Sequence, residues 1–77
     1  MRTLDLHDYN LEDAYHICQE FIAEAYRDNI KKIEVITGKS GPIRREFPHW
    51  AENNHQVQYI ENSWHGGSFI IKIQKKF

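Results

Sequence analysis

One cysteine in 77 residues, Cys18, leaves no partner for an internal disulfide and no Cys-x-x-Cys pair for a zinc ion. No apolar run approaches the roughly 20 residues needed to span a bilayer. The first residues also lack the basic-then-apolar plan of a secretory leader. A cytoplasmic protein with nothing to anchor it is the expectation. With only two prolines and four glycines the chain has no low-complexity tract, linker or internal repeat. A net charge of −1 argues against a protein that holds nucleic acid merely by being basic throughout.

What is present is one domain's worth of chain, residues 1–77, with 40% hydrophobic residues to bury. Charge is unevenly spread. Residues 1–30 hold seven acids and two bases, whereas residues 31–77 hold eight bases and four acids. A local basic face can therefore meet phosphates although the whole is near neutral.

Thr3 to His7 alternates apolar and polar positions, with Leu4 and Leu6 on one side, as a strand with one buried face requires. Asn10 is placed to cap a helix with Glu12 and Asp13 in its first turn. Its apolar stripe runs through Leu11, Ala14, Tyr15, Cys18, Ile22 and Ala25, and the helix ends near Asp28-Asn29. Lys32 to Ile36 is a β-branched run closed by Thr37-Gly38. Pro42 opens a second helix whose inner face is Ile43, Phe47, Trp50 and Ala51, with Pro48 expected to kink or split it. Gln56 to Glu61 and Ser68 to Lys75 read as two more strands, joined by a loop too long for a two-residue hairpin.

The order is β-α-β-α-β-β, an α/β chain. Two right-handed crossovers place both helices on one face of a four-stranded mixed sheet, a two-layer α+β sandwich. The first three strands are expected to be parallel neighbours and the last antiparallel. The loops after them then share the carboxyl-terminal edge, where open α/β sheets bind ligands.

Two strings end strands at that edge. Asp5 and His7 stand two apart, so their Cα atoms lie about 6.6 Å apart on one face. A carboxylate beside an imidazole raises its proton affinity and fixes its orientation, which suits acid or base work near neutral pH. A hydrogen bond that merely trims a strand end explains the pair as well. Gly38-Lys39-Ser40-Gly41 resembles part of a P-loop, but the glycine required five residues before the Gly-Lys pair is Ile33. What is left is a turn aimed at a helix N-terminus, where free N–H groups, Lys39 and Arg44 can hold an oxyanion, or simply a turn with a solvated lysine. His65, beside Gly66-Gly67, is a second titratable group for the same edge. The five histidines, at 7, 16, 49, 55 and 65, include no i, i+4 pair, so no metal site is expected from spacing. Trp64 and Tyr9 are each either core lids or platforms for stacking a base.

Leu4-Asp5-Leu6-His7, Thr37-Gly38-Lys39-Ser40-Gly41 leading to Ile43-Arg44, Phe47-Pro48-His49-Trp50, and Gly66-Gly67 together resemble the small MutS-related (Smr) domain family. That resemblance implies a fold like the C-terminal domain of translation initiation factor 3. It also implies binding of DNA or RNA, with endonuclease activity in several members, some at stalled ribosomes. It assigns Asp5 and His7 to the Asp-x-His motif, Lys39 to the lysine of the turn and Arg44 to the arginine after it. Departures from the family pattern are Asp8 for a glycine, Thr37 for a histidine, Ser40 for a glycine, and Phe69 for the last glycine of the late loop, which it would bulk.

These readings converge on an expectation: a monomeric, sequence-nonspecific nuclease with Asp5 and His7 catalytic, and Gly38, Lys39, Ser40, Arg44, His65, Gly66 and Gly67 on phosphate. RNA supplies its own nucleophile, the 2′-hydroxyl, whereas DNA calls for water and a divalent ion such as Mg²⁺ at Asp5. The alternative is a non-catalytic module that binds nucleic acid, the ribosome or a partner protein.

Overall fold

The structure is a computed structural model and describes residues 1–76; position 77 lies outside the described residues. Its elements are β1 (Arg2–Asp5), α1 (Leu11–Arg27), β2 (Lys32–Ile36), α2 (Pro42–Glu52), β3 (Val57–Asn62) and β4 (Ser68–Ile73). The β-α-β-α-β-β order and the mixed four-stranded sheet agree with the reading of the sequence.

Neighbour relations differ from that reading. The sheet order is β1-β2-β4-β3, with β1 parallel to β2 and β4 antiparallel to both β2 and β3. β3 therefore keeps the direction of the first two strands but is not next to β2, because β4 returns through the middle. This is physically sensible. β4 is the most apolar strand, with Ser68, Phe69, Ile71 and Ile73 buried, and the centre of the sheet is where such a strand loses most water-exposed surface.

Alternation assigns the faces. Leu6, Ile33, Val35, Phe69, Ile71 and Ile73 join Ala14, Cys18, Ile22 and Ala25 of α1 and Ile43, Phe47 and Ala51 of α2 in one core. Phe47 stacks on Phe69 with ring centroids 4.7 Å apart, which ties α2 to β4. Thr3, Lys32, Glu34, Ile70, Lys72, Tyr59 and Glu61 alternate with core positions and lie on the uncovered face. Phe69 thus belongs to the core, not to the loop it was expected to bulk. Burial pushes the Cys18 thiol up to about 12, so it packs as a neutral apolar group.

Local signals were mostly kept. The Asn10 side chain accepts a 2.8 Å hydrogen bond from the Asp13 N–H, capping α1, and Asn29 ends that segment in the left-handed region at φ 58°. Pro42 occupies the first turn of α2. Pro48 does not split that helix. It removes one hydrogen bond, to the Arg44 carbonyl, while Phe47 and Ala51 on either side are anchored in the core. Trp50 is half-buried and meets Phe47 and Tyr15 edge to face.

Candidate nucleic-acid interface

β1 ends sooner than its alternation suggested, at Asp5, although the Leu6 N–H still donates to the Ile36 carbonyl at 2.8 Å. Leu6 is fully buried and acts as the anchor that holds Asp5 and His7 on the uncovered side. The Asp5 Oδ1 atom accepts from the His7 backbone N–H at 3.0 Å and also faces His7 Nδ1. Both side chains remain half exposed. The hydrogen bond to His7 holds the Asp5 carboxyl below its ordinary range. Reciprocally, that bond, then the Asp5 charge, then the Asp8 charge raise the His7 imidazole.

Asp8 was not among the expected site residues. Its Oδ1 atom lies 3.2 Å from His7 Nε2, so the ring stands between two carboxylates. The departure from glycine at this position was visible in the sequence. Its consequence depends on the turn after β1, which folds the Asp8 side chain back onto the ring.

The turn after β2 lies beside His7. Gly38 has φ +84°, and a methyl group there would sit 3.8 Å from His7 Cβ. The Thr37 and Gly38 N–H groups both donate to the Gly67 carbonyl, at 3.1 and 3.0 Å, which locks this turn to the loop before β4. That loop turns through a 3.1 Å hydrogen bond from Gly66 N–H to the Ser63 carbonyl, with Gly66 at φ +77°. A Cβ on Gly67 would lie 3.1 Å from His65 Nδ1 and 3.7 Å from Lys39 Cγ. Gly67 N–H donates to His65 Nδ1 at 3.0 Å, so the unprotonated nitrogen of His65 points inward and its Nε2 carries the proton.

Asp5, His7, Gly38, Lys39, His65 and Gly67 therefore lie together across the carboxyl ends of β1 and β2 and the start of β4, joined by the Asp5-His7, Gly38-Gly67 and Gly67-His65 hydrogen bonds, with Gly66 inside the same loop. Lys39 and Ser40 are exposed there. Arg44 stands apart. Its guanidinium lies over the Phe69 ring, 4.4 Å from the centroid, and donates to Asn62 Oδ1 at 3.1 Å, while its buried Nε has no hydrogen-bond partner among the described residues. Asn62 ends β3, and its role followed from pairing that spacing alone did not reveal. Trp64 is 96% exposed, edge-on to His65, which settles it as a surface group and not a core lid. Tyr9 is also exposed.

Among the described residues no three His, Cys, Asp or Glu side chains converge as metal ligands. Asp5 turns Oδ1 to His7 Nδ1, and Asp8 faces the other ring nitrogen. No helix of the described residues is long and apolar enough to cross a membrane.

Comparison with protein families places this arrangement. The Smr domain model matches residues 4–74, and the chain belongs to that family, which is known for nucleic-acid binding and nuclease-related domains. The fold is similar to the Smr domain of Thermus thermophilus MutS2, with a TM-score of 0.90 at 15% identity, covering 96% of this chain and 99% of that one. It is also similar to YdaL, a stand-alone small MutS-related protein from Escherichia coli, with a TM-score of 0.87 at 19% identity. That match covers 95% of this chain and 64% of YdaL. No curated protein sequence matches the chain.

Proposed function

We propose that this Smr domain is a sequence-nonspecific endonuclease-type module that grips a nucleic-acid backbone at the carboxyl edge of the sheet and uses His7 as its proton carrier. The observation that carries this reading is the Asp5 carboxylate on His7 Nδ1, set beside the Gly38 turn that presents Lys39, where a Cβ on Gly38 would stand 3.8 Å from His7 Cβ. Asp5 holds Nδ1, so Nε2 is the atom that exchanges a proton with substrate. Lys39 supplies positive charge to the non-bridging phosphate oxygens, and exposed Trp64 offers a face for a base.

RNA is the substrate these side chains can serve unaided. His7 Nε2 removes the 2′-hydroxyl proton, the 2′-oxygen bonds to phosphorus, and the bond from phosphorus to the 5′-oxygen breaks. The leaving 5′-oxygen takes a proton from water, giving a 2′,3′-cyclic phosphate and a 5′-hydroxyl, and the hydroxide so formed recovers the proton held by His7. The domain acts in this reading as a cytoplasmic monomer.

One observation favours the binding-only alternative: Asp8 occupies the Nε2 side of the ring. Labelled single-stranded RNA and supercoiled DNA incubated with wild type and His7→Ala separate the two. Cleavage that His7→Ala abolishes while binding persists supports the nuclease; binding without turnover in wild type supports the module.

A further inference from the structure

At the end of the sheet opposite Asp5 and His7, Lys32 of β2 and Lys72 of β4 are direct cross-strand partners, and Tyr59 of β3 is the partner of Lys72 on its other side. All three belong to the uncovered face, so they form one row across three strands, about 10 Å long from the spacing of strands in a sheet. Like charges placed directly opposite destabilise a sheet. Among the described residues neither Lys32 nor Lys72 forms an ion pair, nor do Lys31 and Lys75 beside them, and Glu34, the next residue on the same face of β2, is held by hydroxyl groups instead.

Two adjoining surface depressions, of about 200 and 550 Å³, share Asn29, Ile30, Lys31 and Lys72 as walls. Lys32 lines the second and Lys75 the first. Lys76 is otherwise engaged, donating to the Arg27 carbonyl at 2.8 Å. Tyr59 is 44% exposed at the end of the row. The next row toward the candidate active edge carries Glu34 and Glu61, with Glu34 held by the Thr3 and Ser68 hydroxyls at 3.4 and 2.6 Å. These acids repel a polyanion, and so confine it to a path across the strands.

We infer that the Tyr59-Lys72-Lys32 row, continued by Lys31 and Lys75, is a second binding site, separate from the His7 edge, for a short single-stranded polynucleotide. Lysines paired without acids meet the phosphates, and the exposed tyrosine stacks one base, the combination that sequence-tolerant single-strand binding uses. A partner phosphodiester chain also accounts for the Lys32-Lys72 juxtaposition, which is unfavourable in the free protein. The inference rests on the nucleic-acid reading above but requires no cleavage.

The test uses fluorescence anisotropy with labelled oligo(U) and oligo(dT) over a salt series, on wild type, Lys32→Gln/Lys72→Gln, Tyr59→Leu and Lys39→Gln, with cleavage of single-stranded RNA followed in parallel. The double variant is expected to flatten the log–log salt slope by about 1.4, two phosphates at roughly 0.7 each for single strands. It should also melt higher than wild type, because the like-charge pair is gone. Tyr59→Leu should weaken binding with the slope unchanged. An unchanged slope in the double variant, with Lys39→Gln still flattening it, overturns the second site and leaves the His7 edge standing. A flattened slope in a protein that cleaves nothing supports the second site and removes the nuclease reading. Polyglutamate displacing the oligonucleotide as well as unlabelled oligo(U) does, with Tyr59→Leu silent, would make the row a general polyanion patch and overturn the inference.

Discussion

The Nε2 atom of His7 lies 3.2 Å from the Oδ1 atom of Asp8, on the side of the ring that Asp5 leaves free. In the proposed chemistry a phosphate or a 2′-hydroxyl must displace this carboxylate to reach the imidazole. Asp8→Gly should therefore raise the rate of RNA cleavage at neutral pH severalfold, and tighten backbone binding by removing a negative charge from the edge. Single-turnover cleavage compared with the affinity of the His7→Ala variant carrying the same change separates the two effects. A rate that falls in Asp8→Gly would mean Asp8 takes part in catalysis.

The imidazole itself can be followed by NMR. Its titration midpoint should lie above the ordinary histidine value of about 6.5, fall most in Asp5→Asn, and fall less in Asp8→Asn, following the order of the causes. The sign of the stability effect is fixed by the same shifts. His7 is raised in the folded state, so its contribution is complete below about pH 6.5 and is lost as pH rises through the raised value. Asp5 is lowered, so its contribution is present above about pH 3.9 and is lost as pH falls through the depressed value. The difference in urea stability between wild type and Asp5→Asn should be greatest between those limits and shrink on either side.

Glycine positions give a structural test of the joined loops. Gly38→Ala forces a side chain into a positive-φ position beside His7 and should cost about 1–2 kcal/mol of stability. Gly67→Ala has a different consequence: its methyl would stand 3.1 Å from His65 Nδ1, so the ring has to give by a few tenths of an ångström and its bond from the Gly67 N–H is weakened. A weaker His65 tautomer preference, read from its ring nitrogen shifts, checks this, with a smaller stability change than in Gly38→Ala.

Lys39 and Arg44 read alike in the sequence, and the structure separates them. Lys39 is exposed, whereas Arg44 is spread over Phe69 and tied to Asn62. Lys39→Gln should flatten the salt dependence of binding by about 0.7 for single strands with little change in stability. Arg44→Gln should lower stability by about 1 kcal/mol, the scale of a cation–π contact, and change the salt slope less. Salt-series anisotropy and urea melts on both variants measure the two quantities.

Much of this arrangement could be read from residues alone because local signals and the global fold agree. The Asn10 cap, the α1 stripe, Pro42, and the alternation in β1 and β2 each specify an element without reference to the rest of the chain. Strand order was not legible in the same way. Placing β4 between β2 and β3 follows from its greater burial, which is a property of the assembled sheet, and alternation says only that one of its faces is apolar. The same limit hid three features of the surface. The Lys32-Lys72 opposition needs the β2-β4 register, the Arg44-Asn62 bond needs β3 beside β4, and the Asp8 contact needs the turn after Asp5. Asp5, His7, Gly38 and Lys39 were legible because each sits within two or three residues of a strand end, where direction alone brings them to one edge.

The most direct measurement of the central claim is cleavage of end-labelled single-stranded RNA by wild type and His7→Ala, with and without a chelator, alongside anisotropy on the same RNA. The expected result is cleavage products ending in a 2′,3′-cyclic phosphate, unaffected by chelator, and a loss of about 10² to 10⁴ in rate in His7→Ala with affinity retained. Equal rates for the two proteins, or a wild type that binds RNA without cutting it, would contradict His7 as the proton carrier of a nuclease.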